Sequence, residues 1–196
     1  MKKYTLFVLF YCIAVLVTLS VVPTELRAET KSYKRTLTTY SIPDVTLTNQ
    51  DREEVNLKDF LNSEKPVLLE FIFTTCTTIC PVLSAGFSNM QKKLGPDMDK
   101  VHLVSISIDP EYDTPEKLRQ YLDRYRAKPG WSFLTGTRKD IDMVMHAFDA
   151  YVPNKMSHYP LTFLWVPGNK EWVRIYGMIS TKDLMSEYKL LINGNK

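Results

Sequence analysis

The spacing of apolar positions changes several times along the chain, and each change marks an element. Residues 67–73, Val-Leu-Leu-Glu-Phe-Ile-Phe, are almost continuously apolar, which predicts a central strand buried on both faces. Residues 101–108 predict a second such strand. Val45-Thr46-Leu47 and Val55-Asn56-Leu57 alternate around Asn49-Gln50-Asp51, a short hairpin. Residues 161–166 and 171–176 flank Pro167-Gly168-Asn169, a second hairpin. Helical spacing joins Leu83, Phe87, Met90 and Leu94, with Gly95 placed to end the helix. Thr114 is positioned to cap another helix with Pro115 at its first position and Leu118, Tyr121, Leu122 and Tyr125 facing inward. Thr137 opens a third, with Ile141, Val144, Met145, Phe148 and Tyr151 on one side, and a last helix from Thr181 carries Leu184, Tyr188 and Leu191.

Strands and helices thus alternate and then close with a hairpin and a helix. That order predicts an α/β class and a thioredoxin-like fold over residues 41–196, a central mixed sheet flanked by helices. An N-terminal hydrophobic segment precedes it. Lys2 and Lys3 are followed by an apolar run over residues 6–22, the layout of a signal peptide. The run is also about as long as the shortest membrane-spanning helix, so residues 1–28 read equally as a cleaved signal, ending near Leu26-Arg27-Ala28, or as an anchor. Both readings place the domain on the far side of the membrane from Lys2 and Lys3, with residues 29–40, polar and basic, as a linker.

Hydrophobic residues make up 44% of the chain and aromatic ones 12%, enough for a packed core and against disorder. Loss of Lys2, Lys3, Arg27 and Glu25 with the leader takes the formal charge from +3 to +1, and no basic stripe interleaves with aromatics. Nucleic-acid binding is therefore unsupported. Of three cysteines, Cys12 lies inside the apolar run after bulky Tyr11 and reads as an inert apolar residue. Cys76 and Cys80 remain. Four residues apart, they cannot staple distant segments, which excludes a disulfide framework and leaves a local bridge, a metal site, or both in turn.

The motif Cys76-Thr77-Thr78-Ile79-Cys80-Pro81 follows a buried strand and opens a helix. Cys80 should sit near the helix N-terminus, where the dipole and free amides favour thiolate, and Cys76 in the loop at the strand's carboxyl end, where open α/β sheets hold ligands. A thiolate-rich site outside the cytoplasm favours Cu(I), whereas a structural zinc site would want a fourth protein ligand. The polar flanks Thr74, Thr75, Thr77 and Thr78 argue against a mere packing role. His102 and His146 read as structural or surface groups. His158 lies in a loop leading into a strand, and in this fold that loop borders the cysteine turn, which makes it the third candidate ligand. Met156 reads as packing more than as a soft ligand. Asp109 and Asp113 end the second strand on the same edge, as a turn residue and a helix precap or as an outer shell to the metal.

Four motifs now stand in order: Cys76-x-x-x-Cys80-Pro81; residues 107–116, Ser-Ile-Asp-Pro-Glu-Tyr-Asp-Thr-Pro-Glu; Leu134-Thr135-Gly136-Thr137; and His158 nine residues before Pro167-Gly168. Together they resemble the Sco/SenC family of copper proteins over residues 41–192. The resemblance implies a thioredoxin fold with Cys76, Cys80 and His158 as ligands of copper, as Cu(I) and in a second state as Cu(II). It also implies membrane-tethered or periplasmic members that deliver copper to the binuclear site of a cytochrome c oxidase, or reduce that site's cysteines. The partner would then be the copper-accepting subunit of a terminal oxidase or another exported copper protein. The chain departs from the pattern in having Thr77 after the first cysteine and a short segment between Tyr151 and His158. Pro160 resembles the cis-proline that thioredoxins place against their cysteines. A thiol–disulfide oxidoreductase without copper is the alternative, with Cys76 attacking and Cys80 resolving, or the reverse. A peroxiredoxin would need a different local motif.

Overall fold

The computed structural model describes residues 32–194. The leader over 1–28 and Cys12 lie outside the described residues, and among those described no helix is long and apolar enough to cross a membrane. Eight strands form one sheet: β1 (Tyr33–Thr38), β2 (Thr46–Asn49), β3 (Glu54–Asn56), β4 (Val67–Ile72), β5 (His102–Ser107), β6 (Trp131–Thr135), β7 (Leu161–Trp165) and β8 (Trp172–Gly177), in the order β1-β8-β7-β4-β5-β6-β2-β3. The helices are α1 (Leu57–Leu61), α2 (Cys80–Leu94), α3 (Pro115–Arg124), α4 (Arg138–Ala147) and α5 (Thr181–Gly194).

The centre is parallel, β4 with β5 and β5 with β6, while the outer strands pair antiparallel. All of β4 is buried, as its nearly continuous apolar run, broken only by Glu70, requires of a strand covered on both faces. The register sets Glu70 beside Ser105 and Ser105 beside Phe133, so these share a face. Helices α2 and α3 cover that face: Ser84 of α2 bonds Tyr121 of α3, and Ser88 donates to the Tyr125 carbonyl just beyond α3. Helix α5 packs against α2. On the opposite face Phe148, which follows α4, packs edge-on to Phe71, Phe163 and Trp172. The layers are those of a thioredoxin-like fold.

Three features differ from the sequence expectation. Residues 33–38 of the expected linker form β1, paired along its length with β8. As a sheet edge with exposed Lys34 and Arg35 it carries little apolar pattern, and Tyr33 and Arg35 are instead tied to Glu187 of α5. Strand β6 has five residues behind Pro129-Gly130, too short to show a period, yet its pairing to β5 completes the parallel centre. The first hairpin pairs Leu47 with Val55 as expected, but the chain turns into α1 at Leu57 because the Asn56 side chain caps it, accepting from Asp59 N. Thr114 does sit at the N-cap of α3, but its side chain makes no capping bond.

Beneath α2 lies a buried polar chain. Trp131 Nε1 donates to Ser105 Oγ (2.9 Å), Ser105 Oγ donates to Glu70 Oε1 (2.8 Å), and Ser84 Oγ donates to the same oxygen (3.3 Å). Glu70 Oε2 has no hydrogen-bond partner among the described residues. Burial pushes this carboxyl up to about 8, the serine bonds opposing only in part. In the folded protein it therefore keeps a proton that the unfolded chain releases near 4.5. Between those values the native state binds the extra proton, so stability falls as pH rises, by about 1.4 kcal/mol per unit at its steepest. Denaturant unfolding from pH 5 to 8 should show this decline in the wild type and a flatter profile in Glu70→Gln, which mimics the neutral acid.

Candidate metal centre

The sheet delivers three segments to one edge. Past the end of β4 the chain turns at Phe73, whose carbonyl accepts from Cys76 N at 3.2 Å, and enters α2 at Cys80. Asp113 fixes the start of this loop: its buried carboxylate accepts from Thr74 N (3.1 Å), from the Thr74 hydroxyl and from Ser107 Oγ (2.6 Å). Pro81 is the second residue of α2, and the Ile79 carbonyl closes the opening turn by accepting from Val82 N and Leu83 N, both at 3.1 Å.

The third segment lies between α4 and β7. Asn154 Oδ1 accepts from Met156 N and starts a 3-10 turn over Lys155–Ser157 that sets up His158. His158 Nδ1 lies 2.8 Å from the Lys155 carbonyl. A carbonyl only accepts, so Nδ1 carries the ring proton and Nε2 presents its lone pair. That lone pair faces Cys80 Sγ at 3.2 Å, and the ring rests edge-on against Phe73. Burial lowers the imidazole's pKa and keeps it neutral, the form that ligates.

Cys76 Sγ, Cys80 Sγ and a His158 ring nitrogen all lie within 4.8 Å of one another. Two sulfurs and an imidazole form a soft donor set of the kind that suits Cu(I), and it leaves hard cations without oxygen ligands. The two thiols are unequal. Burial pushes the Cys80 thiol well up, and its bond to Cys76 adds to this. The expectation of a thiolate at Cys80 from the helix dipole is thus overturned, because the sulfur is sealed inside the fold. At Cys76 burial also pushes upward, but hydrogen bonds from the Cys80 thiol, the Cys80 and Thr78 backbones and the Thr78 hydroxyl outweigh it, and the net shift is down.

Asp109 and Asp113 do not join the cluster; they hold its walls. Asp113 anchors the cysteine loop, and Asp109 accepts an ion pair from Lys155, which lies 5.3 Å over the Phe73 ring and three residues before His158. Lys155 carried no sequence signal, and Thr74 and Ser107, though they fall in the motifs, gave no sign of the role they take, since each acts through a fold-dependent contact. Met156 is 65% exposed, so it is not the packing residue its type suggested. His102 stacks on Phe60 and His146 on Tyr151. No cis peptide bond occurs among the described residues, so Pro160 lacks the thioredoxin geometry its position suggested.

The family model described as SCO1/SenC matches residues 34–188. The chain belongs to the SCO1/SenC family. The SCO1 protein homolog of Bacillus subtilis is 31% identical over 160 residues, 76% of this chain and 82% of that protein. Among solved structures, BsSco, described as a member of the Sco family of cytochrome c oxidase assembly proteins with a disulfide switch, superposes with a TM-score of 0.64 at 30% identity, covering 77% of this chain and 92% of that one. ScoI of Bradyrhizobium japonicum, solved with copper bound, superposes with a TM-score of 0.63 at 27% identity, covering 77% and 99%.

The unequal thiols carry a direct consequence. Iodoacetamide at neutral pH, followed by peptide mapping of the reduced protein, should label Cys76 about tenfold or more ahead of Cys80, since only the thiolate attacks. Equal labelling of the two would contradict the asymmetry.

Proposed function

We propose that this SCO1/SenC protein is an exported copper metallochaperone that carries one Cu(I) on Cys76 Sγ, Cys80 Sγ and His158 Nε2. The reading rests above all on the convergence of these three donors, with the imidazole neutral and its lone pair turned toward the sulfurs. The copper-bound relative from Bradyrhizobium japonicum supports the metal, and the description of BsSco supports a cytochrome c oxidase as recipient. The apolar leader over residues 6–22 fits a domain on the periplasmic side of the inner membrane, facing the copper-accepting subunit.

Copper here is cargo, and the chain's task is to hold and release it. Both thiols give up protons as the ion enters, so affinity rises with pH until they are titrated, with Cys80 the costlier partner. Asp109, Asp113 and Lys155 keep the two ligand-bearing loops at a fixed spacing, so little ordering is left for binding.

A second reading draws on the free dithiol and the lowered Cys76 thiol. Cys76 thiolate attacks a partner disulfide, forming a mixed disulfide and expelling one partner thiolate. Cys80 then loses its proton and attacks the Cys76 sulfur, releasing the second partner thiol and closing the Cys76–Cys80 bridge. Two electrons pass to the partner, which fits reduction of an acceptor's cysteines before copper arrives.

Anaerobic Cu(I) titration should give one tight equivalent, lost in Cys76→Ser and in Cys80→Ser; tight binding that survives both losses sinks the proposal. His158→Ala should weaken Cu(I) binding by more than the roughly 10–100-fold that loss of a residue merely supporting a ligand costs, while dithiol–disulfide cycling persists.

A further inference from the structure

Cys76 lines a cleft of about 460 Å³ to which neither Cys80 nor His158 contributes. Thr75 and Thr77 line it beside Cys76, together with Tyr112 and with Lys117 and Arg124 of α3. None of the residues around it is acidic. Lys117 Nζ sits 3.0 Å from the Tyr112 ring centroid, and the Arg124 guanidinium lies 5.0 Å from that of Tyr121. Among the described residues neither cation has a carboxylate partner. Their neighbours on α3 do: Glu116 pairs with Arg52, and Arg119 with Asp51. Charge on the hairpin side of α3 is thus neutralised, while on the Cys76 side it stands open. Seven residues apart, Lys117 and Arg124 share one face of the helix across two turns, about 10 Å, the span of about three residues of extended chain.

We infer that this cleft is the docking groove for an acidic, cysteine-bearing segment of a partner protein. Carboxylates flanking the partner's cysteine settle on Lys117 and Arg124, its chain lies against Tyr112, and its sulfur meets Cys76 Sγ. Approach from this side reaches the reactive thiol and leaves Cys80 and His158 behind it, so the partner's sulfur meets Cys76 before either of the other donors. The inference rests on the reading that Cys76 exchanges thiol or metal with a partner, and it adds the partner's local charge and its direction of approach. Two cations without carboxylate partners on the lining of the cleft steer anionic segments toward Cys76, and added salt weakens that steering.

The test uses two synthetic peptides of equal length, one with two glutamates around a single cysteine and one with two lysines, each activated as a 2-thiopyridyl disulfide. Cys76 thiolate attacks the peptide sulfur and expels pyridine-2-thione, whose absorbance reports the step. At low ionic strength the wild-type protein should react about tenfold or more faster with the acidic peptide than with the basic one, and added salt should narrow the gap. In Lys117→Glu/Arg124→Glu the preference should vanish or invert, and in Lys117→Gln/Arg124→Gln it should shrink, with one-to-one Cu(I) binding retained as evidence that the site is intact. Equal rates for the two peptides in the wild type, or a preference unchanged in a charge-reversed protein that still binds Cu(I), overturns the groove and leaves the copper reading standing. Absence of Cu(I) binding by the wild type overturns the copper reading whatever the peptides do.

Discussion

The carboxylate of Asp113 accepts from the Thr74 amide, the Thr74 hydroxyl and the Ser107 hydroxyl, and all four groups are buried. Thr74 lies just beyond β4, Ser107 ends β5, and Asp113 itself leads into α3, so one side chain ties the cysteine loop to the strand beside it and to the next helix. A buried acceptor of this kind must be satisfied or it costs several kcal/mol. The loop therefore has one well-satisfied conformation, and in it Cys76 turns back on Phe73 while Cys80 falls at the first position of α2. Phe73 then offers its face to His158 and to Lys155, and Lys155 reaches Asp109 on the same stretch that holds Asp113. The ring of contacts closes on itself, and the three donors meet inside it.

That geometry also explains why the two cysteines differ although both belong to one motif. Charge stabilisation at a helix N-terminus is worth about 2 kcal/mol at best, whereas taking a thiolate out of water costs several. At Cys80, fully buried, the second effect wins. Cys76 is buried too, but it lies in the turn, where the Cys80 thiol and backbone and hydroxyl donors point at its sulfur, and together these hydrogen bonds outweigh the burial. Helix position alone could not rank them; depth in the fold does.

The parts that could be read in the sequence are those whose signal is local. The strand β4 is a nearly continuous apolar run and β5 is rich in buried apolar positions, the second hairpin is announced by Pro167-Gly168, and α2 to α5 carry helical spacing. The cysteine motif states its own chemistry. What could not be read depends on pairing across the chain. Strand β1 is polar because it sits at an edge, and it joins the sheet only by hydrogen bonds to β8. Strand β6 is short and flanked by turn residues, so only its neighbours make it a strand. At the site, Asp109 and Asp113 were marked by position, yet whether they would touch a metal or brace the loops was decided by their contacts with Lys155 and Thr74, which are far apart in sequence.

Glu70 bears on the site from beneath. It lies under the first turns of α2, bonded to Ser84, which stands one helical turn past Cys80, and it is among the groups that push the Cys80 thiol up. A Cu(I) ion held by two thiolates leaves a net negative charge in a half-buried place, and a second negative charge below it would repel the loaded form. Held protonated up to about 8, Glu70 adds none at neutral pH. The same burial that makes this carboxyl costly to ionise thus keeps the floor of the site electrically quiet. The positive charge of Lys117 and Arg124 stands on the open side, where Cys76 faces the cleft. Negative charge gathered on the sulfurs therefore meets a neutral interior behind and a cationic rim in front, and the field of the protein draws an acidic partner to the cleft that Cys76 lines.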